Sequence, residues 1–91
     1  MSNTLESKLK VIRQAEGMTQ KTMSELTGVP LGTIKNYESG HSAVGIHVLQ
    51  TILATRKLQK YTLWLMTGKT APTAGQIAPP VEPEPPRKKA G

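Results

Sequence analysis

The chain has no cysteine and no aspartate. Without cysteine there can be no disulfide, no thiolate zinc site and no cysteine nucleophile, and a reducing compartment is compatible with the composition. Before Gly68 the only carboxylates are Glu6, Glu16, Glu25 and Glu38. They are spaced as solvated or bridging helix residues rather than as an acid/base pair, so an enzyme is not expected. His41 and His47 are the only histidines. With no third histidine and no aspartate beside them they do not make a catalytic metal site, and neither metal nor cofactor is expected. No apolar run approaches the roughly 18 residues that span a bilayer, and MSNTLESKLK lacks the apolar core of a signal peptide. The expectation is a cytoplasmic protein with no membrane partner.

What is present is basic. Twelve Lys and Arg against six acidic residues give +6 over 91 residues, a balance that suits a polyanionic partner without naming one. Part of the excess lies in Arg87, Lys88 and Lys89, which read as a solvated terminus with Glu82 and Glu84 nearby. Function must therefore be sought in the pattern of the first 68 residues. Length allows one small domain.

That domain is expected at 1–68, followed by a Pro-rich tail at 69–91. The tail holds six of the seven prolines and too few large apolar side chains to offset the entropy of ordering. Its one plausible ordered piece, within 75–79, centres on Ile77. Everything earlier reads as helix. Asn3 or Thr4 can cap a first helix carrying Leu5, Leu9, Ile12 and Ala15 and ending at Gly17, with Glu6 placed for a capping box. Thr19 caps a second, Gln20 to Thr27, which presents Met23 and Leu26 and stops at Gly28. Pro30 suits the first turn of a third, ending at Gly40. A fourth runs from about Ile46 to Thr55 with Val48, Leu49, Ile52 and Leu53 on its apolar side. A fifth, YTLWLMTG at 61–68, is apolar almost all round, more than one packing face requires. The fold class is all-α.

Helices two and three are separated only by Gly28, Val29 and Pro30, short enough to force a steep crossing of the helix-turn-helix kind. At about 100° per residue, Ile34 and Tyr37 share one side of helix three. Gly32, Asn36 and Ser39 lie opposite, with Lys35 on the flank. That outer side carries amide, hydroxyl and ammonium groups suited to base edges and phosphates, and no carboxylate. Gly32 costs about 1 kcal/mol of helix propensity relative to Ala. Either another molecule approaches its backbone closely, or the missing side chain relieves packing against helix two.

TQKTMSELTGVPLGTIKNYESG, Thr19 to Gly40, resembles the helix-turn-helix of the lambda-repressor and Cro-like superfamily. MSNT, LTGVP, YESG, KYTLW and GQIAP together resemble, more narrowly, the immunity repressors (C repressors) of P-two-like temperate phages, the peduoviruses, from Met1 to about Pro79. The resemblance implies a five-helix lambda-repressor-like domain in a dimeric repressor that binds double-stranded operator DNA, blocks the lytic promoter and maintains lysogeny. An antirepressor protein is a further partner such a repressor can have. It also implies roles. Gln20 matches the glutamine that anchors a phosphate, with Lys21 assisting. Leu31, Gly32, Lys35 and Asn36 fall where bases are touched. Thr33 and Ser39 fall at backbone contacts, and His41 and Ser42 start a loop that meets sugar-phosphate. Leu31 departs from the amide common there, and core packing or a thymine methyl are both open to it. Arg13 and Glu38 match a bridging pair between helices one and three, the other option for Arg13 being solvent or phosphate. Ser24 matches the small residue where helices two and three approach.

The competing function is a helix-turn-helix antitoxin or protein-interaction adaptor, but helix three offers no apolar anchor for a protein partner. A single short helix reads too few base pairs to select a genomic site, so association is required. The homodimer surface is expected on helix five, at Leu63, Trp64 and Met66, with Ile77 of the tail crossing to the partner.

Overall fold

Thr4 opens the first helix. Its hydroxyl accepts the Ser7 N–H at 3.1 Å, and the Ser7 hydroxyl returns to the Thr4 carbonyl at 3.0 Å. The computed structural model describes residues 4–80, so Asn3, the alternative cap, lies outside the described residues, as do Glu82, Glu84 and the basic run at 87–89. Helix α1 spans Leu5–Ala15, α2 Gln20–Thr27, α3 Leu31–Ser39, α4 Ile46–Ala54 and α5 Thr62–Thr67, with 3₁₀ helices at Arg56–Tyr61 and Pro72–Ala74. The fold is all-α; among the described residues the only β pairing is an isolated bridge between Ala71 and Gln76.

With Thr4 as cap, the third helical position is Ser7, so Glu6 closes no capping box. Its carboxylate instead accepts the Val44 N–H at 2.7 Å. That N–H holds the Glu6 carboxyl below its ordinary range, against the upward push of burial. The first helix thus tethers the loop that follows α3.

Thr19 caps α2 by accepting the Thr22 N–H at 3.0 Å, and Gly28 ends it in the left-handed region at φ 83°. Only glycine adopts that conformation cheaply, which is why the chain can reverse within three residues. The Ser24 hydroxyl donates to the Val29 carbonyl at 2.6 Å, fastening the turn to α2. On α2 the inward residues are Met23 and Thr27, whereas Leu26 is 42% exposed. Four-residue spacing wins over three here because the buried Thr27 hydroxyl is satisfied twice, donating to the Met23 carbonyl and accepting the Val29 N–H.

Pro30 stands one position before α3 rather than inside its first turn, in extended backbone at φ −56° and ψ 142°, and α3 has no side-chain cap. Its Ile34 and Tyr37 join Leu9 and Ile12 of α1, Met23 and Leu49 in the interior. Helix α4 ends at Ala54 with Thr55 already extended.

The region between α4 and α5 is the main departure from expectation. It is not a linker: Arg56–Tyr61 forms a 3₁₀ helix whose Leu58 is fully buried, as is Leu65 in α5. Tyr61 belongs to this 3₁₀ helix rather than to α5. Its hydroxyl donates to Glu16 at 2.6 Å, and Lys60 lies 3.0 Å from the same carboxylate. Burial alone would raise the Glu16 pKa, but the Tyr61 hydroxyl and Lys60, with Lys57 farther off, outweigh it and leave the carboxyl below its usual range. Burial first, then the bond to Glu16, pushes the Tyr61 phenol upward.

After Gly68 the chain folds back on the same body. Gln76 accepts the Leu63 N–H through Oε1 at 2.9 Å and donates from Nε2 to the Gln59 carbonyl at 3.0 Å. The Ile77 N–H donates to the Lys60 carbonyl at 2.9 Å. Residues 71–77 are thus held by backbone and amide hydrogen bonds rather than by apolar burial, which the tail's composition does not supply.

Candidate nucleic-acid interface

The short turn at 28–30 and the burial of Ile34 and Tyr37 leave α3 only one orientation. Its exposed side is then fixed by the helical repeat: Gly32, Lys35, Asn36 and Ser39 are all exposed, while Leu31 and Thr33, on the borders, are half-buried. Leu31 is thus placed between core and surface, able to serve both. Lys21 is exposed on α2, and His41 and Ser42 are exposed in the loop after α3.

Gly32 decides between its two explanations. A Cβ built on it meets nothing within 4 Å, so no neighbour in the chain requires glycine, and relief of packing against α2 is excluded. Its propensity cost is unopposed within the monomer. Gly32→Ala is expected to raise the unfolding free energy by about 0.5 to 1 kcal/mol, read from denaturant midpoints, while weakening DNA binding. A stabilised variant with undiminished DNA affinity would show that the backbone at 32 is not closely approached.

Two other groups of candidate residues are tied together. The Ser39 hydroxyl sits 2.6 Å from His41 Nδ1 and 3.3 Å from the Asn36 carbonyl, so side-chain bonds link the end of α3 to the start of the loop. That loop is held from the other side by Glu6 on Val44. The Glu6 contact joins residues far apart in sequence, and no local pattern announces it.

The second group is ionic. Arg13 grips Glu38 with both arms of its guanidinium, Nε to Oε2 at 2.7 Å and Nη2 to Oε1 at 2.9 Å, and its Nη1 donates to the Met18 carbonyl at 2.8 Å. The side chains are 13% and 6% exposed, so the Arg13 guanidinium is turned inward onto Glu38 and the Met18 carbonyl. Gln20, half-buried at the first position of α2, donates from Nε2 to Glu38 Oε1 at 3.0 Å. One of its two amide hydrogens is therefore spoken for, and one remains.

In α5 and the segment after it, Leu63 and Trp64 are half-buried, Met66 is 49% exposed and Ile77 37%. Trp64 is partly occupied within the chain, since the Lys8 ammonium lies 5.3 Å from its ring centre. Ile46 of α4, which the sequence pattern did not single out, is 60% exposed, and with Leu53 and Met66 it borders a groove of about 380 Å³. Among the described residues no cluster of His, Cys, Asp or Glu could hold a metal ion, and no helix is long and apolar enough to cross a membrane.

Taken together, a glycine-pivoted helix pair with one helix presenting an open polar side defines a helix-turn-helix protein, and residues 9–55 match the family model described as Helix-turn-helix. Over 79 residues the chain is 47% identical to Repressor protein C of Escherichia phage P2, an alignment covering 87% of this chain and 80% of that protein. The chain belongs to the P2-like C repressors within the Cro/lambda helix-turn-helix superfamily.

Proposed function

We propose that this protein is a sequence-specific transcriptional repressor that binds operator DNA as a homodimer in the cytoplasm of the bacterial host, excludes polymerase from the lytic promoter and so keeps a prophage silent. The observation that carries this is the outer side of α3: four exposed positions without a carboxylate, one of them a glycine that nothing in the chain demands. Inserted in a major groove roughly 12 Å wide, this side brings Asn36 and Lys35 to base edges and lets the groove floor approach Gly32. Gln20 and Lys21 at the start of α2, Thr33, and the linked Ser39, His41 and Ser42 hold the flanking backbone and set the register. Leu31 offers a thymine methyl an apolar contact.

Selection from a pool of randomised duplexes gives the operator and its half-site spacing. On the selected duplex, Asn36→Ala is expected to weaken binding by about 1 to 3 kcal/mol and to relax preference at one base position. An equal loss on random duplex would reduce Asn36 to a phosphate contact. Failure of the wild-type protein to bind any duplex at low salt would remove the proposal altogether.

The dimer follows from arithmetic: a few base pairs read by one helix do not distinguish a site among a million or more competitors. Leu63, Met66 and Ile77, with the free edge of Trp64, form the proposed contact, and the neighbouring Ile46 and Leu53 extend it. Deleting the tail is an ambiguous test, because residues 76 and 77 also bond within the chain. A single charge is cleaner. Met66→Glu should weaken self-association by at least about 2 kcal/mol in sedimentation while leaving the helical content intact. An unchanged dimer would move the interface elsewhere.

A further inference from the structure

A phosphate anchor at the start of α2 stands beside a buried carboxylate, an arrangement that at first looks adverse to an anion. Two features reverse the sign. Arg13 covers both oxygens of Glu38, so the pair is neutral as seen from the DNA backbone. The oxygen shared with Gln20 can only accept, so it draws the nitrogen end of the Gln20 amide and not its oxygen. The amide plane is then set, and its second N–H points away from Glu38. An exposed glutamine would present oxygen and nitrogen to a phosphate about equally, and half of those orientations oppose lone pairs to an anion.

We infer that Glu38, itself held by Arg13, is a positioning residue for DNA backbone binding: it locks the Gln20 amide in the donor orientation that a phosphate requires. This rests on the reading of Gln20 as a phosphate anchor. It assigns to the Arg13–Glu38 pair a role in affinity that is separate from holding α1 to α3. Because phosphate contacts carry no sequence information, the effect is the same on every duplex, unlike that of Asn36.

The test has a spectroscopic part that needs no variant. In the free wild-type protein, one side-chain amide proton of Gln20 should be shifted and slow to exchange, because Glu38 holds it. The exposed Gln14 and Gln50 should each show two fast-exchanging protons at ordinary side-chain amide positions. On addition of a random-sequence duplex at low salt, the second Gln20 proton should move and the first stay. Two fast, unshifted protons would overturn the lock. The second part is a cycle on the same duplex, at a temperature where every variant is folded by circular dichroism. Gln20→Ala and Glu38→Gln should each weaken binding on the order of tenfold, and the double variant no further than the weaker single, since a glutamine at 38 can turn its own NH2 toward Gln20 and reverse the amide. Additive losses would show that the two residues act independently. If the wild-type protein bound no duplex, the repressor reading would fail; binding that is insensitive to Gln20→Ala would sink this inference alone.

Discussion

Leu58→Ala is expected to lower the unfolding free energy by about 2 to 5 kcal/mol. The leucine is fully buried, so the change removes its transfer free energy and leaves a cavity. The cavity should collapse little. Leu58 sits on a 3₁₀ helix pinned at its far end by Tyr61 and Lys60 to Glu16, and Tyr61 and Leu65, which follow it, are themselves buried. Small single-core domains fall at the low end of the usual 5 to 15 kcal/mol stability range, so this loss approaches the whole. For a domain of this size each kcal/mol shifts the midpoint by roughly 4 to 8 °C. A melting curve displaced by at least about 10 °C is therefore the expected result. Leu26→Ala is the control: the same chemistry at a position 42% exposed should change stability by only about 0.5 kcal/mol. Equal effects at 26 and 58 would mean that the 3₁₀ segment does not belong to the core.

That pair of leucines also shows where sequence reasoning reached and where it stopped. Both ends of α2 and the C-terminal stop of α3 were legible because caps are local: Thr19, Gly28 and Gly40 announce themselves in their own turn. The orientation of α3 was legible because Ile34 and Tyr37 leave one polar side. Leu26 and Leu58 were not. On an eight-residue helix, positions 26 and 27 border the same side, and what draws Thr27 inward is a pair of hydrogen bonds to backbone. Leu58 lies between two helices in a stretch of Arg, Lys and Gln. The signal available was its spacing from Tyr61 and Leu65, three and then four residues on, which continues the apolar stripe of α5 backward. The links from Glu6 to Val44 and from Gln20 to Glu38 join distant parts of the chain, and periodicity carries no information about such pairings.

Arg13→Met should be as costly as the cavity. The carboxylate of Glu38 is 6% exposed and would lose both arms of its partner at once, leaving an unpaired charge in a poorly solvated place. Removing one member of such a pair typically costs about 3 to 5 kcal/mol. Because most of that is the penalty for the orphaned charge and not the worth of the pair, Arg13→Met combined with Glu38→Leu should recover the greater part of it in chemical denaturation. The recovery should stop at stability. With leucine at 38 the Gln20 amide has no acceptor to orient it, so the double variant should melt close to the wild type and still bind random duplex on the order of tenfold more weakly. A double variant that regains affinity along with stability would show that the buried pair holds α1 to α3 and does nothing for the phosphate donor beside it.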